Sequence, residues 1–220
     1  FACAFKYLLQ CDKEVIPQLT ETLTRGAIEV CEGQGFDMDF ENRQTVSTDE
    51  YLQMIKLKTG VLLSTALQLG AITAKADEKT LNLLDTFGKY IGIAFQIKDD
   101  MLDCWSDLDT FGKVCGADII DRKKTFLYIT ALESATQTQR QELLSLYENT
   151  TLDKDEKIQK VRAIYEQLSV AQKAQKAVEE YNSKAFEALE QIEVAPQRKA
   201  TLIEVAKKLA YKMCVQKGSV

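Results

Sequence analysis

One stretch organises the chain: Gly92-Ile-Ala-Phe-Gln-Ile-Lys-Asp-Asp-Met-Leu-Asp103. An α-helix turns by about 100° per residue, so this stretch brings three carboxylates and one amide onto about a quarter of the helix circumference. Measured from Asp99, Asp103 lies about 40° away. Gln96 lies about 60° and Asp100 about 100° from the same reference. Like charges this close repel one another, and Mg2+, which prefers carboxylate oxygen, would remove the conflict.

The same helix face continues toward the N-terminus through Gly92, Phe95 and Gly88, all within about 40° of Asp99. Carboxylates at one end, with small and apolar residues leading away, suit a ligand that has an anionic head and a hydrocarbon tail. The pattern also fits a solvated acidic helix end above an ordinary helix–helix contact. Gln96 and the lysines that follow the stretch favour the ligand hypothesis.

Composition favours an all-α protein in a single domain, residues 1–220. The chain has only two prolines and ten glycines, so it has few of the residues that form the turns of a sheet-rich fold. Its net charge is −5, and no basic block interleaves with aromatic residues, so nucleic acid is not expected as a partner. No apolar run reaches about 18 residues, and no signal-peptide pattern opens the chain. We therefore expect a cytoplasmic protein without a transmembrane segment.

The chain has no histidine, and its six cysteines form no CxxC pair. A zinc site and a Ser-His or Cys-His nucleophile are therefore not expected, and the cysteines are interpreted as reduced thiols. Chemistry in this protein would have to depend on metal, carboxylate, lysine or the substrate itself.

Periodicity and cap residues predict a series of helices. They are expected at about 13–40, 47–69, 77–105, 123–134, 137–148, 153–168, 170–192 and 196–215. Asp12 is expected to cap the first of these, and Thr151 or Asp153 the sixth. Residues 1–10 have the pattern of a helix that begins upstream, so the sequence is interpreted as a fragment.

The first long helix carries polar side chains on one stripe, and two glycines interrupt it. The stripe comprises Glu29, Gly33, Gln34 and Asp37. Glycine in a helix costs about 1 kcal/mol relative to alanine, so Gly33 and Gly35 suggest close approach by a ligand or another helix. A weakened, exposed turn is the alternative.

Two lysines are candidates for phosphate contacts, each with a simpler alternative. Lys58 lies in an apolar helix, where a lysine commonly extends its ammonium to the surface. Lys113 follows Gly112 in the non-periodic segment 107–122, which is not a P-loop but could bring the lysine over the carboxylates. A plain linker between helices is the alternative.

Taken together, these motifs resemble the trans-isoprenyl diphosphate synthases, the family of the farnesyl and geranylgeranyl diphosphate synthases. The matching segments follow in one order: Glu32–Asp37, Lys56–Gly60, Phe95–Asp103 and Phe111–Thr125. The resemblance implies an isoprenoid-synthase-like helical bundle around a central cavity, and a homodimer. The family's first aspartate-rich motif is missing from the sequence, so the chain alone is expected to be poorly active.

The resemblance also implies roles for individual side chains. The implied Mg2+ ligands are Asp99, Asp100 and Asp103. The implied contacts to the allylic diphosphate are Lys58, Lys113 and Lys123. Thr59 and Gln96 would lie beside the reacting carbon, with Gln34 and Asp37 supporting that wall. Lys58, Thr59, Gln96 and Lys113 form the implied catalytic group.

The implied reaction joins an allylic diphosphate to isopentenyl diphosphate and releases diphosphate. The first alternative is a non-catalytic subunit that pairs with an active synthase, although such subunits usually carry degraded aspartate motifs. The second is a terpene cyclase on the same fold. Cyclases usually carry an Asn/Ser/Glu metal motif where this chain has Asp-Asp-x-x-Asp, so the synthase is favoured.

Overall fold

The computed structural model describes residues 2–105 and 115–211, with side chains through residue 209. Within these ranges the chain forms helices and no strand, which confirms the all-α prediction. The helices are α1 Ala2–Leu8, α2 Ile16–Asn42, α3 Thr48–Ile55, α4 Val61–Thr73, α5 Glu78–Trp105, α6 Ala117–Ile120, α7 Phe126–Ser134, α8 Gln137–Glu148, α9 Lys154–Gln167, α10 Val170–Glu190 and α11 Pro196–Tyr211. A π-helical segment, Lys56–Gly60, joins α3 to α4.

Several helices begin where side chains can satisfy the first free N–H groups. Ser47 and Glu50 form a capping box at the start of α3, and the Asp153 carboxylate accepts from two N–H groups at the start of α9. The prediction for Asp12 is wrong. Its carbonyl accepts the N–H of Val15 at 3.0 Å to form a turn, and α2 begins one residue later without a side-chain cap.

Helix α5 runs through the interior of the bundle. Its middle is buried on several sides, with Ile97 completely inaccessible and Phe87 2% exposed. One apolar cluster surrounds Ile97 and includes Tyr165 of α9, and a second joins Phe87 to Leu189 of α10. Full burial of such a side chain stabilises the fold by about 1.5–3 kcal/mol.

Two glycines of α5 allow close packing against the preceding helix. A Cβ on Gly92 would meet the backbone of Gly60, and one on Gly88 would meet the backbone of Ser64. Phe95 lies toward α10, where it borders a small pocket with Val178. This part of the stripe therefore makes helix–helix contacts, and the hydrocarbon-tail interpretation of its glycines is wrong because the π-helical segment covers Gly92 and α4 covers Gly88.

The predicted boundaries hold for most helices but shift at three places. Helix α2 begins at Ile16 rather than about residue 13, α4 continues past Gly70 to Thr73, and α7 begins at Phe126 with Thr125 as its cap. Within the described ranges, no helix combines the length and apolar character needed to cross a membrane.

Candidate functional site

A cleft of about 130 Å3 opens between α2, the segment from α3 to the π turn, α5 and the residues that precede α7. Side chains from all the predicted motifs in the described ranges line it. Those predicted beforehand are Asp37, Lys58, Gln96, Asp99, Asp100 and Lys123. Residues far apart in sequence therefore meet in one place. Lys113 lies outside the described residues.

The π-helical segment directs Lys58 and Thr59 to different neighbours. The Lys58 ammonium forms a 2.7 Å ion pair with the Asp37 carboxylate of α2, and both side chains are about one-third exposed. The Thr59 hydroxyl donates to Oε1 of Gln96 on α5 at 3.1 Å. Single π turns within helices frequently mark functional sites, and this one faces the cleft with its lysine.

Close packing of α2 on the π segment depends on Gly33. A Cβ at this position would collide with the backbone nitrogen of Lys58, so the close-approach prediction is correct for Gly33. Among the described residues, Gly35 has no neighbour within 4 Å of the same position, which matches the alternative of an exposed turn. Gln34 is exposed and does not line the cleft.

Asp100 is buried, with 4% of its surface exposed. Its carboxylate accepts hydrogen bonds from the Tyr51 hydroxyl at 2.6 Å and the Phe126 N–H at 3.1 Å, and a longer one from the Gln96 amide at 3.4 Å. Burial raises the pKa of Asp100 to about 7, against the opposing effect of these donors. The carboxylate therefore joins α5 to α3 and α7.

Asp103 and Asp99 have different surroundings. The Asp103 carboxylate accepts the Asp118 N–H at 3.0 Å, and burial together with the nearby charges of Asp118 and Asp99 raises its pKa. Asp118 in turn forms a 2.7 Å ion pair with Lys123. Asp99 is half-buried in the cleft wall, and within residues 2–105 and 115–211 its carboxylate has no hydrogen-bond or ion-pair partner.

The donor set fits Mg2+ in one coordination mode. Among the described residues, no three His, Cys, Asp or Glu side chains converge on one point. Mg2+ in proteins is commonly held by one or two carboxylates, with substrate phosphates and water completing the octahedron. The Asp99 carboxylate, which has no partner among the described residues and lines the same cleft as Lys58 and Lys123, fits that mode.

Sequence reasoning missed several residues of the cleft wall, among them Tyr51, Arg122 and Lys124. Tyr51 stands seven residues before Lys58, and its position on the buried face of α3 was a usable signal. Arg122 and Lys124 flank the predicted Lys123, and only the tertiary path of this segment places them at the cleft.

Comparisons with known proteins agree with this geometry. The family model described as polyprenyl synthetase matches residues 1–168. A short chain isoprenyl diphosphate synthase from Methanothermobacter thermautotrophicus is 33% identical over 202 residues, which are 91% of this chain and 61% of that protein.

The chain is also similar to solved structures of prenyl diphosphate synthases. A crystal structure of geranylgeranyl pyrophosphate synthase has a TM-score of 0.88 and 40% identity, covering 94% of this chain and 64% of that one. The geranylgeranyl pyrophosphate synthetase of Pyrococcus horikoshii Ot3 has a TM-score of 0.87 and 29% identity, covering 96% and 64%. The chain thus spans about three fifths of the length of these proteins and shares their all-α fold.

Proposed function

This chain belongs to the polyprenyl synthetase family, and on that premise we propose that its cleft binds the diphosphate of an allylic substrate for condensation with isopentenyl diphosphate. The single observation that carries the proposal is the convergence of three sequence motifs. The Lys58–Asp37 ion pair and the Thr59–Gln96 hydrogen bond join α2, the π segment and α5 around the cleft. The product would be a longer prenyl diphosphate.

The side chains of the cleft suit the departure of a diphosphate. Breaking the allylic carbon–oxygen bond concentrates negative charge on the leaving group, and Lys58 and Lys123 can stabilise that charge more in the transition state than in the ground state. We propose that the released diphosphate takes the final proton, so the reaction needs no histidine from this chain.

Orientation of the Gln96 amide follows from its two partners. The Asp100 carboxylate, when ionised, can only accept, so it faces the amide nitrogen at 3.4 Å. The carbonyl oxygen then faces the Thr59 hydroxyl. We propose that these two fixed dipoles stabilise an allylic cation without capturing it.

Mg2+ is the proposed metal, held by Asp99, with Asp103 next along the helix face and Asp100 turned inward. When bound, it would supply a Lewis acid that neutralises diphosphate charge. We also propose that the 220-residue chain turns over poorly by itself, because its sequence contains a single Asp-Asp-x-x-Asp motif.

The surface of α2 adds a proposal about assembly. Its exposed apolar residues are Ile28, Phe36 and Met38, with exposed fractions between 44% and 60%. We propose a cytoplasmic homodimer whose interface covers Ile28 and Phe36, which lie about 80° apart on α2. Light scattering coupled to size exclusion would measure its mass. A mass equal to one chain at micromolar concentration would refute the dimer.

The function is tested by product analysis of the protein expressed from its complete gene, with labelled isopentenyl diphosphate, an allylic diphosphate and Mg2+. Asp99→Ala should lower turnover at least about a hundredfold while helix content by circular dichroism is unchanged. Glu78→Ala is the matched control, since this exposed acid lies on the same helix about 30 Å away. Equal turnover for Asp99→Ala and Glu78→Ala would refute the assignment of Asp99. A protein that forms no elongated product would favour the non-catalytic subunit instead.

A further inference from the structure

Arg122 ends helix α6 in a conformation that glycine normally supplies. Its φ is 58°, in the left-handed region. The Arg122 N–H donates to the carbonyl of Ile119 at 3.3 Å, and the Lys123 N–H donates to the carbonyl of Asp118 at 2.9 Å. This pair of bonds is the Schellman pattern, in which the left-handed residue is most often glycine because glycine has no Cβ.

Backbone strain alone does not single out Arg122, because Lys75 ends α4 in the same way. Its φ is 57°, and its N–H donates to the carbonyl of Ile72 at 2.9 Å. The two residues differ in their side chains. The Lys75 ammonium contacts the carboxylates of Glu14 at 3.1 Å and Asp12 at 3.8 Å. The Arg122 side chain lines the cleft and, within residues 2–105 and 115–211, has no ion-pair or hydrogen-bond partner.

The other cationic side chains of the cleft also differ in whether a carboxylate contacts them. Lys58 and Lys123 are held by carboxylates of the cleft itself, both at 2.7 Å. Within residues 2–105 and 115–211, the Lys124 ammonium makes one hydrogen bond, to the backbone carbonyl of Glu41 at 3.4 Å. Two cations of the wall, Arg122 and Lys124, therefore lack a carboxylate among the described residues.

These two cations also lie close enough to affect each other. Burial first, and the charge of Arg122 second, lower the pKa of Lys124. Like charges brought together in a concave site favour an anion between them, because the anion removes their mutual repulsion. A guanidinium can in addition form two parallel hydrogen bonds to phosphate oxygens.

We propose that Arg122, supported by Lys124, is a further diphosphate-binding residue of this cleft. The inference rests on the proposed function, since it concerns a ligand of the same site. Arg122 binds one phosphate group of the diphosphate, and Lys58 and Lys123 contact the same ligand from the other positions of the cleft wall. Because Arg122 is exposed, its contribution is screened by salt and weakens within a Debye length of about 8–10 Å at physiological ionic strength.

The test measures the affinity for inorganic pyrophosphate with Mg2+ by calorimetry, at low and high salt. Arg122→Gly removes the charge and the left-handed strain, and Arg122→Gln removes the charge alone. Both variants should bind pyrophosphate about fivefold to tenfold more weakly at low salt, with a smaller difference at high salt. The melting temperature should not fall for Arg122→Gly, because glycine adopts this φ without a steric penalty.

Lys75→Gly is the matched control. It removes one positive charge and one left-handed side chain at the same position of a Schellman pattern, outside the cleft. Its pyrophosphate affinity should equal that of the wild type. Equal weakening by Lys75→Gly and Arg122→Gly would show a general charge effect and overturn the proposal.

The outcomes separate this inference from the proposed function. If the wild type binds pyrophosphate and both Arg122 variants bind it equally well, the inference fails while the proposed function stands. If the wild type does not bind pyrophosphate with Mg2+, the diphosphate site itself fails and the role of Arg122 fails with it.

Discussion

The hydroxyl of Tyr51 donates a 2.6 Å hydrogen bond to the carboxylate of Asp100, and both residues are about 4% exposed. Burying a carboxylate is costly unless donors surround it, and this bond joins α3 to α5 next to the Gln96 amide. The same bond therefore serves stability and the geometry of the cleft. Its removal can be measured independently of any activity.

Tyr51→Phe should lower the free energy of unfolding by about 1–3 kcal/mol, because the buried Asp100 carboxylate loses a hydrogen-bond donor. Urea unfolding followed by circular dichroism measures the change. Tyr7→Phe removes a hydroxyl from a side chain that is 67% exposed and should have almost no effect. Equal stability of the two variants would mean that the buried bond contributes nothing.

The pKa of Asp100 gives a prediction about pH. The folded-state value of about 7 lies above the ordinary value of 3.8, so the folded state binds the extra proton between these two pH values. Preferential protonation of Asp100 in the folded state therefore raises the free energy of unfolding. This contribution is fully present below about pH 4 and is lost as pH rises through about 7. The loss should be on the order of a few kcal/mol.

Comparison of the wild type with Asp100→Asn isolates this effect. The asparagine does not titrate, so the wild type should gain stability relative to the variant as pH falls from 8 to 5. Urea unfolding at both pH values measures the difference. A constant difference across this range would contradict the raised pKa.

Gly92 and Gly35 should respond to alanine in opposite directions. A Cβ at Gly92 would collide with the backbone of Gly60, so Gly92→Ala forces α5 away from the π segment and should cost about 1–3 kcal/mol. Gly35 has open space at that position on a helix, so Gly35→Ala should stabilise the fold by up to about 1 kcal/mol. Thermal unfolding compares them, and destabilisation by Gly35→Ala would indicate a contact that the structure does not contain.

The sequence was sufficient for the helical class and for placing Gln96 beside Asp99 on one helix face, because helix periodicity carries that information. The resemblance to a known family, and not periodicity, predicted that Lys58 joins them. The sequence could not show which neighbour each carboxylate meets. Asp100 stands about 100° from Asp99 on the helix, and the packing of α3 and α7 determines that this direction leads into the core.

Two backbone features were also beyond sequence reasoning. The π turn at Lys56–Gly60 has no composition signal, since the segment reads as a continuous helix from Thr48. The left-handed conformation of Arg122 stands where glycine would ordinarily mark a helix stop, so the usual signal was missing.

The ion pair between Lys58 and Asp37 leads to a last prediction, in which its two members have opposite effects on ligand binding. Lys58→Ala removes a cation from the cleft and should weaken pyrophosphate binding by about tenfold or more. Asp37→Asn frees the ammonium from its carboxylate and should leave that affinity unchanged or raise it. Because both side chains are about one-third exposed, the pair contributes only about 0–1 kcal/mol to stability, so neither variant should unfold. Calorimetry with pyrophosphate and Mg2+ measures both, and equal weakening by the two substitutions would mean that the intact pair, rather than the lysine, binds the diphosphate.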